Sequence, residues 1–85
     1  MTTTEKITHA VSKLVNEQLR DLGGGTAEVF ASALRGDRVT VHMYVRPEDV
    51  ERVRLVMDSA KMVDRAERPA RDGMTLVRGR IPLTQ

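Results

Sequence analysis

Few residues in this chain have the chemistry of a reactive site. There are two histidines, one tyrosine and no cysteine among 85 residues. His42 and Tyr44 are the best placed, within Arg38-Val-Thr-Val-His-Met-Tyr-Val-Arg46, where apolar residues alternate with polar ones. In an extended strand that alternation puts Val39, Val41, Met43 and Val45 on one face and Thr40, His42, Tyr44 and Arg46 on the other. An imidazole and a phenol can move protons, but catalysis also needs a positioned acid, nucleophile or metal. No histidine and acid stand at metal-ligand spacing. Ser12, Ser32 and Ser59 lie in mid-segment, away from any nucleophile turn. Without cysteine there is no thiolate nucleophile, zinc–thiolate site or disulfide. A chain this short also has little room for a substrate cleft. The sequence therefore reads as a non-enzyme with no cofactor and no metal site.

Two short motifs also have ordinary structural explanations. Gly23-Gly24-Gly25 follows a helical pattern and precedes a strand-like one. A phosphate-cradling loop runs the other way, from strand into helix, and has a lysine and Ser/Thr that are missing here. The triplet reads as a helix terminator and turn. Arg35-Gly36-Asp37 spells an integrin-binding tripeptide, but Gly-Asp is what a two-residue hairpin loop requires.

Binding is better supported than catalysis. A second alternating run from Met74 to Ile81 places Arg78 and Arg80 on one face. If both runs share a sheet, Arg38, His42, Tyr44, Arg46, Arg78 and Arg80 form a basic face with an aromatic. Surfaces of that kind hold single-stranded nucleic acid, and these six are the candidate nucleic-acid contacts.

Four elements must position these residues. Thr2 to Leu22 has helical spacing, with Ile7, Val11, Leu14, Gln18 and Leu22 in line and Ala10, Val15 and Leu19 widening the apolar face. Thr2 and Glu5 have capping-box spacing. Thr26 to Leu34 is a strand of unclear face, turning through Gly36-Asp37 into the strand from Arg38. Pro47 then opens a helix to Ala60, with Glu48 and Asp49 at its positive end and Val50, Val53, Val56, Met57 and Ala60 on one side. Glu48/Arg52 and Arg54/Asp58 are spaced as i,i+4 pairs on its solvent side. Lys61 to Arg68 reads as a charged strand, and Pro69 to Gly73 as a turn. With the run closed by Pro82 they make a second hairpin, guarded as an edge by charge and proline. The predicted fold is α+β, in the order α-β-β-α-β-β. It is a single domain over residues 1–85, with about four antiparallel strands and both helices on one sheet face.

That architecture leaves a conflict of parity. Phe30 and Leu34 oppose Val29 and Ala33, while Met74 and Leu76 oppose Val77 and Ile81. Either the register slips by one or some of these apolar residues lie on the uncovered face. Contiguous exposed apolar residues mark partner surfaces. Phe30, Tyr44, Met74 and Leu76 are accordingly the candidate partner-binding anchors. The leading expectation is a homo-oligomeric interaction module, contacting itself or another protein, such as a structural component of a phage or other symmetric assembly. A small nucleic-acid-binding module is the alternative.

Bulk properties agree with either reading. Aromatics make up 2% of the chain, so the core must be aliphatic. Net charge is only +2, but residues 61–85 carry six basic and three acidic side chains. Arginine outnumbers lysine 11 to 3, which suits interfaces and phosphates and equally reflects a GC-rich coding sequence. No apolar run is long enough to span a bilayer and no signal region opens the chain. The expected location is therefore cytoplasmic, with no membrane partner.

Overall fold

The computed structural model describes residues 2–83, apart from the side chain of Ala31. Helix α1 covers Thr3–Asp21, strand β1 Glu28–Arg35 and strand β2 Arg38–Val45. A 3₁₀ turn at Pro47–Asp49 leads into helix α2, Val50–Ser59. Strand β3, Val63–Pro69, is joined by a short turn to strand β4, Thr75–Pro82. The four strands form one antiparallel sheet in the order β1-β2-β4-β3. The expected α+β class and element order hold. Because β4 lies antiparallel between β2 and β3, those two run parallel, and β2-α2-β3 is a split β-α-β unit.

The core lies between the two helices and one face of the sheet. It joins Val11, Val15 and Leu19 of α1 to Val39, Val41, Met43 and Val45 of β2. Val53, Val56 and Met57 of α2, with Ala27, Met62 and Val77, complete it. It is aliphatic throughout, as the composition demanded. β2 shows the anticipated alternation, with every second residue buried from Val39 to Val45.

Helix α1 starts where Thr2 accepts the Glu5 N–H through Oγ1 at 3.1 Å. It ends in a Schellman arrangement: Gly24 N–H reaches the Leu19 carbonyl and Gly23 N–H that of Arg20, with Gly23 at φ +81°. This is the helix-terminating role expected of the first glycine. The buried stripe differs from the predicted one. Val11, Val15 and Leu19 are buried, whereas Leu14 and Leu22 are exposed. Asn16 fixes the roll of the helix: its amide donates to the Ala27 carbonyl at 3.0 Å and accepts the Ala27 N–H at 2.8 Å. Clamping residue 16 to the entry of β1 turns Leu14 outward.

The other two glycines of the triplet serve packing. A Cβ on Gly24 would lie 2.5 Å from Leu19 Cδ1, and one on Gly25 would lie 3.1 Å from Asp49 Oδ2. Asp49 is 3% exposed. It accepts the Gly25 N–H at 3.1 Å and the Arg52 guanidinium at 3.2 Å. Arg52 in turn donates to the Leu22 carbonyl at the end of α1. One buried carboxylate thus ties the start of α2 to the end of α1.

Neither predicted helix-surface pair forms: one is replaced by a closer neighbour and the other by two pairs to β3. Arg52 pairs with Asp49 and bonds the backbone of Glu48. Arg54 pairs with Glu67 at 2.7 Å and Asp58 with Arg65 at 2.7 Å. Every residue of β3 is exposed, so apolar burial does little to hold this strand. Its two ion pairs to α2 and its ladder with β4 do. The charge run on α2 is therefore a fastening for the edge strand as well as a solvated face.

The second hairpin forms, but β4 is an inner strand, against the edge character inferred from Pro82. Proline is tolerated there as the last ladder residue, opposite Arg38. The guarded edge is β3, which has charges, Pro69 and a bulge between Val63 and Ala66.

Candidate functional site

None of the described residues outside the sheet covers the face opposite the helices, and the residues of that face follow from register. Val41 and Met43 point into the core, so Thr40, His42 and Tyr44 point out. Opposite them on β4 stand Arg80, Arg78 and Leu76. Ala66 and Arg68 of β3 face Arg78 and Leu76 in the next row.

A bulge in β1 resolves the parity conflict. Val29 faces Met43, Ala31 faces His42 and Ser32 faces Val41, so Phe30 is the extra residue. Val29 and Ser32 lie on the core side and Phe30 on the open side. Its ring stacks on Tyr44 with centroids 4.6 Å apart and planes 18° from parallel, and lies 6.0 Å from the His42 ring. Leu34, paired with Val39, belongs to the covered side, where it sits at the margin and is 51% exposed. Of the four proposed anchors, Phe30, Tyr44 and Leu76 come together on the open face. Met74, just before β4, borders a small hollow with Tyr44, Glu28 and Arg71.

Three of the basic residues gather away from the rings. Arg38 and Arg80 both donate to Asp64 Oδ2, at 3.0 and 3.1 Å, and Arg78 reaches the Asp64 carbonyl at 3.4 Å. Asp64 stands in the β3 bulge at φ +53°, a left-handed conformation that an aspartate tolerates better than most residues. Arg46 follows β2 as an exposed residue whose carbonyl accepts the Asp49 N–H. His42 is remote from the acidic start of α2: Asp49 is buried on the opposite side of the sheet.

By register, Arg35, Arg38, Arg68, Arg78 and Arg80 lie on this face, with Glu28 and Asp64 as its carboxylates. That surplus of three positive charges exceeds the +2 of the whole chain. Sequence reasoning missed Asp64 because a bulged strand has no readable parity. It counted Phe30 as an apolar anchor only, since its place beside Tyr44 depends on the second bulge.

One depression is lined by Phe30, Ala33, Thr40, His42, Arg78 and Arg80 on the open face, but also by Val29, Ser32 and the first turns of α1. Residues from both sides of β1 border it. It is therefore a surface that bends around an edge strand, and a substrate-enclosing cleft it is not. Among the described residues no three His, Asp or Glu side chains converge to hold a metal ion. No helix there is long and apolar enough to cross a membrane. No family model, curated protein or solved structure matches this chain.

Proposed function

We propose that the protein is a non-enzymatic binding module whose open sheet face holds single-stranded nucleic acid. One observation carries this reading: stacked Phe30 and Tyr44 rings with His42 beside them, on a face with an arginine surplus. Rings offer sequence-tolerant stacking to bases, and guanidiniums take the phosphates. Tyr44 is the one phenyl-type ring among the six candidate nucleic-acid contacts, and Phe30 supplies a second.

Electrostatics favour it over self-association through the whole face. Two copies face to face bring five arginines against five, and like charges across an interface are costly. The test is fluorescence anisotropy with labelled oligo(U) and oligo(dT) at low and moderate salt. Binding is expected to weaken steeply with salt, and Tyr44→Ala is expected to weaken it about fivefold or more, since stacking contributes about 1–3 kcal/mol per base. A folded protein that binds neither oligomer at low salt overturns the proposal.

A second reading, homo-oligomeric assembly, is favoured by Leu76 directly opposite Tyr44, which extends the rings into an apolar end. It needs only that end of the face. Light scattering decides it: a mass above the monomer that Leu76→Asp abolishes supports assembly, and a monomer at high concentration excludes it.

A further inference from the structure

We infer that Arg38, Arg78 and Arg80 form a phosphoryl-binding site, and that Asp64 is a built-in competitor occupying it when no ligand is bound. The inference rests on the nucleic-acid reading for its natural ligand, and on the geometry of the cluster for the site itself.

Three guanidiniums from two adjacent strands converge on one residue of a third. Two of them share a single oxygen, Asp64 Oδ2. The third reaches only the backbone carbonyl, at 3.4 Å, a long contact for a charged donor. Its Nε is shielded from solvent and has no acceptor among the described residues. One carboxylate thus serves two of three cations, and the cluster keeps a surplus of two charges and an unmet donor. A planar carboxylate cannot satisfy three forks arriving from different strands. A phosphoryl group can, because it presents several tetrahedral oxygens and guanidinium forks match it well.

The surroundings suit the same ligand. Thr40 lies opposite Arg80 and His42 opposite Arg78, adding a hydroxyl and an imidazole beside the arginines. The Phe30 ring is 6.0 Å from His42, so a base attached to a bound phosphate has a stacking surface nearby. Asp64 sits on the edge strand, where all of β3 is exposed. Yielding the arginines to a ligand opens no part of the core.

The experiment titrates wild type and Asp64→Asn with inorganic phosphate, a nucleoside monophosphate and oligo(U). The side-chain Nε–H resonances of the three arginines are followed by NMR, and oligomer affinity by anisotropy. Phosphate is expected to shift all three resonances in wild type. Asp64→Asn removes the competing charge and keeps the shape, so it is expected to tighten phosphate and oligomer binding about fivefold to tenfold at low salt. Arg78→Gln with Arg80→Gln is expected to weaken phosphate binding at least about tenfold. A merely structural Asp64 predicts the reverse, lower stability with unchanged or weaker affinity, and that result overturns the inference.

If Asp64→Asn fails to fold, wild type still decides: phosphate that leaves the Arg78 Nε–H unmoved rejects the site. Phosphate shifts without oligomer binding would retain the site and reject the nucleic-acid function. Oligomer binding that Asp64→Asn does not tighten would do the opposite. Comparing the monophosphate with the oligomer separates a free nucleotide from a polymer backbone as the source of the phosphate.

Discussion

Replacing Asp49 with alanine should destabilise the fold more than any other change to a charged residue. The carboxylate is 3% exposed and joins three segments: the glycine loop, the end of α1 through Arg52, and its own helix. Its loss removes the acceptor for the Gly25 N–H, and a hydrogen bond to a charged group contributes about 1.5–3 kcal/mol. The Arg52 pair counts for less, about 1 kcal/mol at most, because that side chain is 40% exposed and can rehydrate. Set against these losses is the cost of burying the carboxylate itself, which alanine removes. The net expectation is about 2 kcal/mol for Asp49→Ala, or a fall in Tm of roughly 10 °C for a domain of this size. Asp49→Asn keeps the volume and one acceptor and should cost about half as much. Urea unfolding gives both numbers. A double-mutant cycle tests the geometry. In wild type a Cβ at residue 25 would stand 3.1 Å from Asp49 Oδ2, so Gly25→Ala should be destabilising there and nearly free in the Asp49→Ala background. Strict additivity, or an Asp49→Ala variant within about 0.5 kcal/mol of wild type, would refute the linkage.

Two further predictions concern the second half of the chain. Gly79 lies on β4 beneath α2, and a Cβ there would stand 2.6 Å from Met57 Cε and 3.0 Å from Met62 Sδ. Both methionines are buried, but the atoms met are the flexible ends of their side chains, so Gly79→Ala should cost about 1 kcal/mol, the low end of overpacking, measurable by urea unfolding; a loss of several kcal/mol would mean that the methionines cannot shift. The second prediction is a pH dependence. Arg54, hydrogen-bonded to Glu67, holds that carboxyl below its ordinary value. A carboxyl depressed in the folded state contributes stability above its unfolded pKa and loses it as pH falls through the folded one. Wild type should therefore exceed Glu67→Gln in stability near neutrality, with the difference closing below about pH 4.5, and a gap that persists in acid would contradict the pairing.

Where one period ran unbroken, the sequence was legible. β2 alternates without interruption and its buried set was read correctly, as were the Thr2 cap, the glycine terminator and the apolar side of α2. The misreadings share a cause in long-range fastening. The roll of α1 is set by Asn16 gripping Ala27, eleven residues away, and nothing in the helical spacing reveals it. Arg54 and Asp58 look like partners on one helix, yet each is taken by a residue of β3. For the candidate site, the open face was foreseen and its wiring was not. Phe30 joins Tyr44, and Asp64 meets the arginines, because each strand carries a bulge. A bulge adds one residue and reverses every assignment beyond it.

Those bulges also bear on how the protein meets a partner. Both edge strands carry one, and a bulged edge is a poor template for adding another strand. β3 adds charges and Pro69, leaving even less for a strand-pairing partner to use. The helices are committed to the core by Val11, Val15, Leu19, Val53, Val56 and Met57. What remains is the sheet face. It is graded along the strands: the rings and Leu76 lie toward the Tyr44 end with Arg68 beside them, Arg78 lies midway, and Arg35, Arg38 and Arg80 lie toward the Arg38 end. About six residues of β2 separate the ends, roughly 20 Å at strand rise, a span of several stacked nucleotides. A flat protein partner would have to match apolar rings and arginines side by side, while a single strand of nucleic acid supplies a base and a phosphate at every step. The polarity of this face is thus better matched to a repeating polymer than to a second copy of itself.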